Sequence, residues 1–348
     1  MRHLIDFDQM TLQEWQKLYA LGQHIRENPG AYAKSCQGKL VATLFYEPST
    51  RTQFSFQAAA MRLGAQVIGF SGTGGSSVTK GENLKDTIRT VANYVDAIVM
   101  RNPMEGAALA ASLYSEVPVV NAGDGGHLHP TQTLTDLFTI SLEKGRLTGL
   151  TVGLCGDLRN GRTVHSLIKA LVRFEGNRFI LISTPTLRIP DYVRAALQQA
   201  NAPFEEVDRL EDAIDQLDIL YMTRIQKERF ESEQAYEREA GVYVLDTDKL
   251  ARAKEDLLVL HPLPKVDEIT HEADDDPRCK YFEQAKNGMF IRMALLHELL
   301  HQDRTVPAPV TQGQGCCTNP SCVTGGETYL PPLSSDGRCL YCDKELQV

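Results

Sequence analysis

The sequence predicts an α/β chain with two doubly wound parallel-sheet domains joined by long helices, plus a small C-terminal cysteine module. Three observations predict it. Short apolar runs alternate with stretches of helical periodicity from the start to about residue 301. The alternation comes as two series separated by a helical stretch that opens at Pro130. Beyond His301 the composition changes, and five of the eight cysteines crowd into residues 316–348.

Thr11-x-x-Glu14 is a capping box, with Trp15, Leu18, Tyr19 and Leu21 following at helical spacing. Leu40 to Tyr46 is an apolar run that predicts a buried strand. Pro48 stops it, and Ser49-Thr50 can cap a helix over 51–63. Further strands are predicted at 67–70, 97–100 and 117–121, and helices at 83–94 and 105–114. A long helix should run from Pro130 to about Lys144, with Gly145 near its end. In the second series, strands fit 151–155, 179–182, 219–222 and 257–260, and helices fit 162–174, 190–200 and 287–301. Residues 302–315, with Pro307, Pro309, Gly313 and Gly315, read as a linker.

The 348 residues suffice for about two domains and need no disulfide support. With 36 basic against 45 acidic side chains the formal charge is −9, a poor match for nucleic acid or an anionic membrane. No apolar run is long enough for a membrane span, and the start has no secretory h-region. Cys36, Cys155 and Cys279 read as small buried hydrophobes of a reducing compartment, so a cytoplasmic location is expected.

Chemistry-bearing residues collect where the predicted strands end. Ser49-Thr50-Arg51-Thr52 puts hydroxyls and a guanidinium at a helix amino terminus, which favours an anion; a plain cap with a surface Arg is the alternative. The loop 72–82 ends its glycine- and serine-rich run at Lys80 and lacks the Walker A spacing, so alone it reads as a flexible surface loop. Arg101 follows a strand. Asn121 to Gln132 follows another, with glycines for close backbone approach and His129 and Gln132 at the next helix start. His127 and His129 lack further ligands for a metal.

Gly153, Gly156 and Gly161 have the wrong spacing for a dinucleotide fingerprint. Arg162 is a carboxylate or phosphate ligand, or a structural partner of Asp157. Arg224 and Gln226 follow a further strand, and His261-Pro262-Leu263-Pro264 fixes a backbone with free carbonyls. Five cations at loops or helix starts of an acidic chain predict a cleft for small polyanions.

Ser49-Thr50-Arg51-Thr52, Arg101, His129-Pro130-Thr131-Gln132 and His261-Pro262-Leu263-Pro264, in this order over about residues 1–305, resemble the aspartate/ornithine carbamoyltransferase family. Arg224-Ile225-Gln226 and the His-Pro-Leu-Pro form resemble its aspartate branch. The His-Cys-Leu-Pro and Asp-x-x-x-Ser-Met-Gly strings expected of the ornithine branch do not occur. The resemblance implies carbamoyl transfer from carbamoyl phosphate to L-aspartate, an early step of pyrimidine synthesis, with no cofactor for catalysis.

It further implies residue roles. Ser49, Thr50, Arg51 and Thr52 hold the phosphate. Arg101, Thr52 and His129 serve the carbonyl oxygen. Gln132 and carbonyls around Pro262 and Leu263 hold the carbamoyl nitrogen. Arg162, Arg224, Gln226, Leu263 and Lys80 serve aspartate. Ser76 and Lys80 match loop residues that the family inserts into a neighbouring subunit's site, so a homotrimer, or multiples of it, is implied. The implied domains are 1–131 with 287–305 for carbamoyl phosphate and 132–286 for aspartate, then a linker 306–315 and a module 316–348.

The module reads Cys317-x4-Cys322-x16-Cys339-x2-Cys342, two close thiol pairs that suit tetrahedral Zn2+. Together with Leu340-Tyr341 and Asp343-Lys344-Glu345 it resembles the zinc domain of the separate regulatory chain of some bacterial members. No room is left for that chain's nucleotide-binding domain. Cys316 can stand in for Cys317, and a redox pair Cys339/Cys342 is the alternative. Arg338 and Lys344 against four acidic side chains argue against a nucleic-acid ribbon. The module is expected to be structural, docked on its own chain or on a neighbour. Two rival functions remain: transfer to another amine such as ornithine, and an inactive zinc-dependent scaffold.

Overall fold

A computed structural model describes residues 2–72, 74, 77–226, 230, 232–304, 313, 315 and 317–346. The chain divides into two units, residues 1–131 with 289–348, and residues 132–288.

The first unit opens with α1 (Leu12–Glu27), whose capping box forms as expected: Glu14 N–H donates to the Thr11 hydroxyl and the Thr11 N–H to the Glu14 carboxylate. Then come β1 (Leu40–Phe45), α2 (Thr50–Arg62), β2 (Gln66–Ser71), α3 (Leu84–Ala92), β3 (Ala97–Asn102), α4 (Ala107–Ser112) and β4 (Val119–Asp124). All pairings are parallel, in the order β2-β1-β3-β4. β1 and β3 are nearly continuous apolar runs because helices cover both faces. α5 (Pro130–Lys144) carries the chain into the second unit.

The second unit holds β5 (Thr151–Cys155), α6 (Arg162–Leu171), β6 (Arg178–Ile182), α7 (Asp191–Gln199), β7 (Phe204–Val207) and β8 (Ile219–Met222). It continues with α8 (Glu233–Glu239), α9 (Thr247–Arg252) and β9 (Leu258–Leu260). Its sheet is also parallel, ordered β7-β6-β5-β8-β9. α10 (Tyr281–Leu300) returns the chain to the first unit. There Arg292 donates to the Ser55 hydroxyl at 3.0 Å and lies over the Phe56 ring.

Several expectations need correction. Ser49 occupies the N-cap of α2, but its hydroxyl makes no capping bond. Arg101 lies inside β3 rather than after it. β7, α8 and α9 were not expected. α10 begins six residues before the expected start at Asn287, which is fully buried within the helix.

The tail adds α11 (Val323–Gly326) and a two-residue hairpin pair, β10 (Ser334–Ser335) and β11 (Arg338–Cys339). It is part of the first unit: Cys322, Val323, Leu330, Leu333 and Tyr341 share one apolar cluster with Ile98 and Met100 of β3 and with α4. Of the expected linker, Gln302 to Arg304, Gly313 and Gly315 are described, and the rest lies outside the described residues. No helix among the described residues is long and apolar enough to cross a membrane.

Candidate active-site halves and a four-cysteine centre

In the first unit, register brings the two Arg-bearing segments together. Phe45 of β1 is opposite Arg101 of β3, and the Tyr46 N–H donates to the Arg101 carbonyl at 2.8 Å. The turn 46–49 therefore leaves the sheet beside Arg101 and enters α2, whose first turn carries Thr50, Arg51 and the buried Thr52. The first-turn N–H groups, which a helix cannot pair within itself, and the helix dipole make such a start suited to an anion. Partial burial and then the nearby Arg101 lower the affinity of Arg51 for its proton, so the two guanidinium groups repel. An anion relieves that repulsion.

Glu47 meets Arg101 at 2.7 Å. It stands in the turn read from the sequence, but received no role there.

β4 ends in a second loop. Asp124 is buried and organises it: Oδ1 accepts the Leu128 N–H at 3.0 Å, and Oδ2 accepts the Gly106 N–H at 2.8 Å. His129 follows, buried, with its Nδ1 3.4 Å from the Thr131 hydroxyl. Lys80 ends a helical turn (Ser77–Lys80) and is exposed, while Ser76 lies outside the described residues.

In the second unit, the carboxyl ends of β5, β8 and β9 are neighbours through the pairs Cys155–Met222 and Tyr221–Leu260. Gly156 permits the first junction: its φ is +116°, and a Cβ there would sit 2.3 Å from the Thr223 carbonyl oxygen. Arg162 begins α6, and Arg224 and Gln226 follow β8; all three are half-buried. The loop 157–161 is fastened by Asp157, which accepts the Asn160 N–H, and by His165. The His165 Nε2 lies 2.7 Å from the Leu158 carbonyl and its Nδ1 2.6 Å from the Tyr192 hydroxyl. Burial pulls His165 down to about 4, so it is neutral and bridges these partners.

After β9, the Leu263 N–H donates to His261 Nδ1 at 2.8 Å, which leaves the Nε2 proton for Glu268 at 2.7 Å. Leu263 has φ +56° and precedes a cis proline. Gln132 is in the first turns of α5 with its amide nitrogen 2.7 Å from Asp136, leaving its carbonyl oxygen to accept an N–H. Asp136 also accepts from Gln284 and Tyr221. Asp136 and His165 fasten these groups, and no local sequence pattern marks either residue.

In the tail, the sulfurs of Cys317, Cys322, Cys339 and Cys342 all lie within 4.8 Å of one another. Cys317–Cys342 is 3.5 Å and Cys322–Cys339 is 3.9 Å. Tetrahedral Zn–S bonds of about 2.3 Å require sulfur edges of roughly 3.8 Å, so the cluster fits such an ion. The seven described cysteines are free thiols; Cys316 is outside the described residues.

Residues 2–142 match the family profile "Aspartate/ornithine carbamoyltransferase, carbamoyl-P binding domain", and 148–299 match "Aspartate/ornithine carbamoyltransferase, Asp/Orn binding domain". The aspartate carbamoyltransferase catalytic subunit of Clostridium novyi is 58% identical over 299 residues, 86% of this chain and 98% of that protein. That of Finegoldia magna is 55% identical over 299 residues with the same coverage. Among solved structures, the catalytic subunit of M. jannaschii aspartate transcarbamoylase superposes with a TM-score of 0.81 at 45% identity, covering 86% of this chain and 98% of that one. Trypanosoma cruzi aspartate transcarbamoylase, in complex with N-(phosphonacetyl)-L-aspartic acid, gives 0.80 at 36% identity, covering 86% and 95%. The profiles stop before the cysteine tail.

Proposed function

The chain belongs to the aspartate/ornithine carbamoyltransferase family, and we propose how its residues divide the family's reaction. It is an enzyme that transfers the carbamoyl group of carbamoyl phosphate to the amine of L-aspartate, giving N-carbamoyl-L-aspartate and phosphate. The first unit holds carbamoyl phosphate. The observation that carries this assignment is the Phe45–Arg101 register, which sets the helix start 50–52 beside Arg101.

Ser49, Thr50, Arg51 and Thr52 take the phosphate, and Arg101 spans phosphate and carbonyl oxygen. Arg162, Arg224 and Gln226 take the two carboxylates of aspartate, assisted by Lys80. The Gln132 oxygen, fixed by Asp136, and the carbonyls of Pro262 and Leu263 accept the carbamoyl N–H bonds.

The uncharged amine of aspartate gives its lone pair to the carbamoyl carbon. Negative charge collects on the carbonyl oxygen, where Arg101, Thr52 and His129 donate hydrogen bonds. The C–O bond to phosphate then breaks, phosphate keeps that electron pair, and the amine proton passes to it. Holding both substrates in register supplies about 7–11 kcal/mol of the barrier reduction. Arg51→Ala and Arg224→Ala kinetics test this: wild-type behaviour in both overturns the assignment.

The four cysteines hold Zn2+ as a structural ion, consistent with their sulfur separations. Such an ion supplies folding free energy and takes no part in the transfer. In this reading the tail is a docked counterpart of the family's regulatory-chain zinc domain. The working assembly is a homotrimer in which Ser76 and Lys80 reach a neighbour's site. Exposed Phe54, Met61 and Ile68 on α2 and the edge strand β2 support a covered face there. A native mass spectrum tests both: a metal-free monomer overturns them. A cytoplasmic location and an early step of pyrimidine synthesis are part of this reading; the free thiols of the described cysteines support the first.

A further inference from the structure

We propose that the cysteine module is a clamp on the carbamoyl phosphate half of the site. It fixes the three segments that carry Lys80, Arg101 and His129, so loss of its metal weakens carbamoyl phosphate binding. This rests on the assignment of the first unit made above and extends it to the tail.

The first attachment is backbone pairing. The Glu105 N–H donates to the Ser321 carbonyl at 2.8 Å, and the Val323 N–H donates to the Glu105 carbonyl at 2.9 Å. Cys322, one of the four cysteines, lies between those two module residues and forms a bridge with Glu105. Glu105 stands four residues after Arg101. Its buried carboxylate accepts Asn319 at 2.7 Å and pairs with Lys344 at 3.4 Å, both from the module.

A second attachment runs through Asp343, whose carboxylate meets His127 Nε2 at 3.1 Å. The other nitrogen of that ring meets Asp124 at 3.2 Å. Asp124 is the carboxylate that also holds the Gly106 and Leu128 N–H groups. One chain of bonds thus ties the module to the loop after β3 and to the loop before His129.

The third lies at the start of α3, four residues after Lys80. The Leu84 N–H donates to the Glu327 carboxylate at 3.0 Å, and the Lys85 N–H donates to the Tyr329 hydroxyl at 2.8 Å. These are first-turn N–H groups with no partner inside the helix.

Among the described residues, the module's own regular structure is a four-residue helix and two two-residue strands, too little to hold itself together without a staple. Metal binding is then its folding free energy, and the three attachments stand or fall with it. The second unit, with Arg162 and Arg224, receives none of these module bonds.

The test uses the full chain with its metal, the chain after metal removal by a mercurial and chelator, and a metal-loaded Asp343→Asn/Lys344→Ala variant. Carbamoyl phosphate binding is measured by calorimetry, and backbone hydrogen exchange by mass spectrometry. Metal removal should raise the carbamoyl phosphate Kd about tenfold, and added Zn2+ should restore it; the variant should show about threefold. Exchange should quicken in 84–87, 102–106 and 124–128 while 156–162 and 261–264 keep their rates. Unchanged binding in both altered proteins, or exchange quickening equally in both units, overturns the clamp. A native chain that fails to bind carbamoyl phosphate overturns the assigned half-site instead, and the exchange pattern still decides the clamp.

Discussion

Asp136 holds the side-chain amide of Gln132 at 2.7 Å, one helical turn away on α5. That bond decides which end of the Gln132 amide is free. With the nitrogen committed to a carboxylate, the oxygen is the acceptor that a carbamoyl N–H needs. Asp136→Asn removes the charge that enforces this orientation while keeping the shape. It should lower kcat/KM for carbamoyl phosphate by about tenfold to a hundredfold, as expected for loss of a charge-assisted bond. Steady-state kinetics beside an unchanged melting profile check it.

Arg51 and Arg224 should fail differently. Arg51→Ala removes the proposed phosphate ligand from the start of α2 and should cut turnover by about a thousandfold. Arg224→Ala should raise the KM for aspartate about tenfold or more, with carbamoyl phosphate binding retained, because one bidentate carboxylate contact is worth a few kcal/mol. Initial-rate kinetics varying each substrate in turn separate the two.

His165 sets an acid limit on stability. Burial holds it at about 4 in the folded protein, against its ordinary 6.5. The unfolded chain therefore binds the extra proton between those values, and stability falls as pH drops from 6.5 toward 4. The loss attributable to this ring is about 3 kcal/mol at most. His165→Gln should flatten that acid limb, as read by urea unfolding at pH 7 and pH 4.5. His3, also lowered to about 4 by burial and by Arg2, contributes a remaining slope.

Gly106 has φ +83°, and a Cβ there would sit 2.4 Å from the Tyr341 carbonyl oxygen. Both its conformation and its position against backbone forbid a side chain. Gly106→Ala should push the module off α4 and cost about 2–4 kcal/mol. Proteolysis within 317–346 together with denaturant unfolding will detect it.

Cys339→Ser removes one of the four sulfurs. Zinc content measured by elemental analysis should fall from one ion per chain to a small fraction of that. If the module joins trimers, native mass spectra of the same variant will lose the higher species.

Local signals were legible wherever a signal was local. The run 151–155, the span Pro130–Lys144 and the Thr11 box were readable because periodicity and caps lie within a few residues. β7 was not: Phe204-Glu205-Glu206-Val207 is a half-exposed edge strand without an apolar run. α10 begins at Tyr281 rather than at the expected 287, and Asn287 is a polar side chain buried inside the helix.

Within the proposed site, the expected Arg, His and Gln side chains stand in strand ends, loops and first helical turns, places that local patterns mark. The groups that fasten them are not so marked. Glu47 pairs with Arg101, Glu105 with Asn319, and His165 with Tyr192, across sequence separations that no local pattern encodes. A positioning residue becomes visible when register brings two distant loop ends together.

The first unit is built from both ends of the chain, while residues 132–288 form the other unit without interruption. During synthesis on the ribosome the inserted unit can complete its sheet before the first unit has received the second half of α10 or the tail. All four strands of the first sheet precede residue 132, but Ser55 and Phe56 lack Arg292 until late in translation. The first unit is therefore begun first and finished last: its sheet is encoded ahead of the whole second unit, and the α10 side chain that braces α2 is encoded after it.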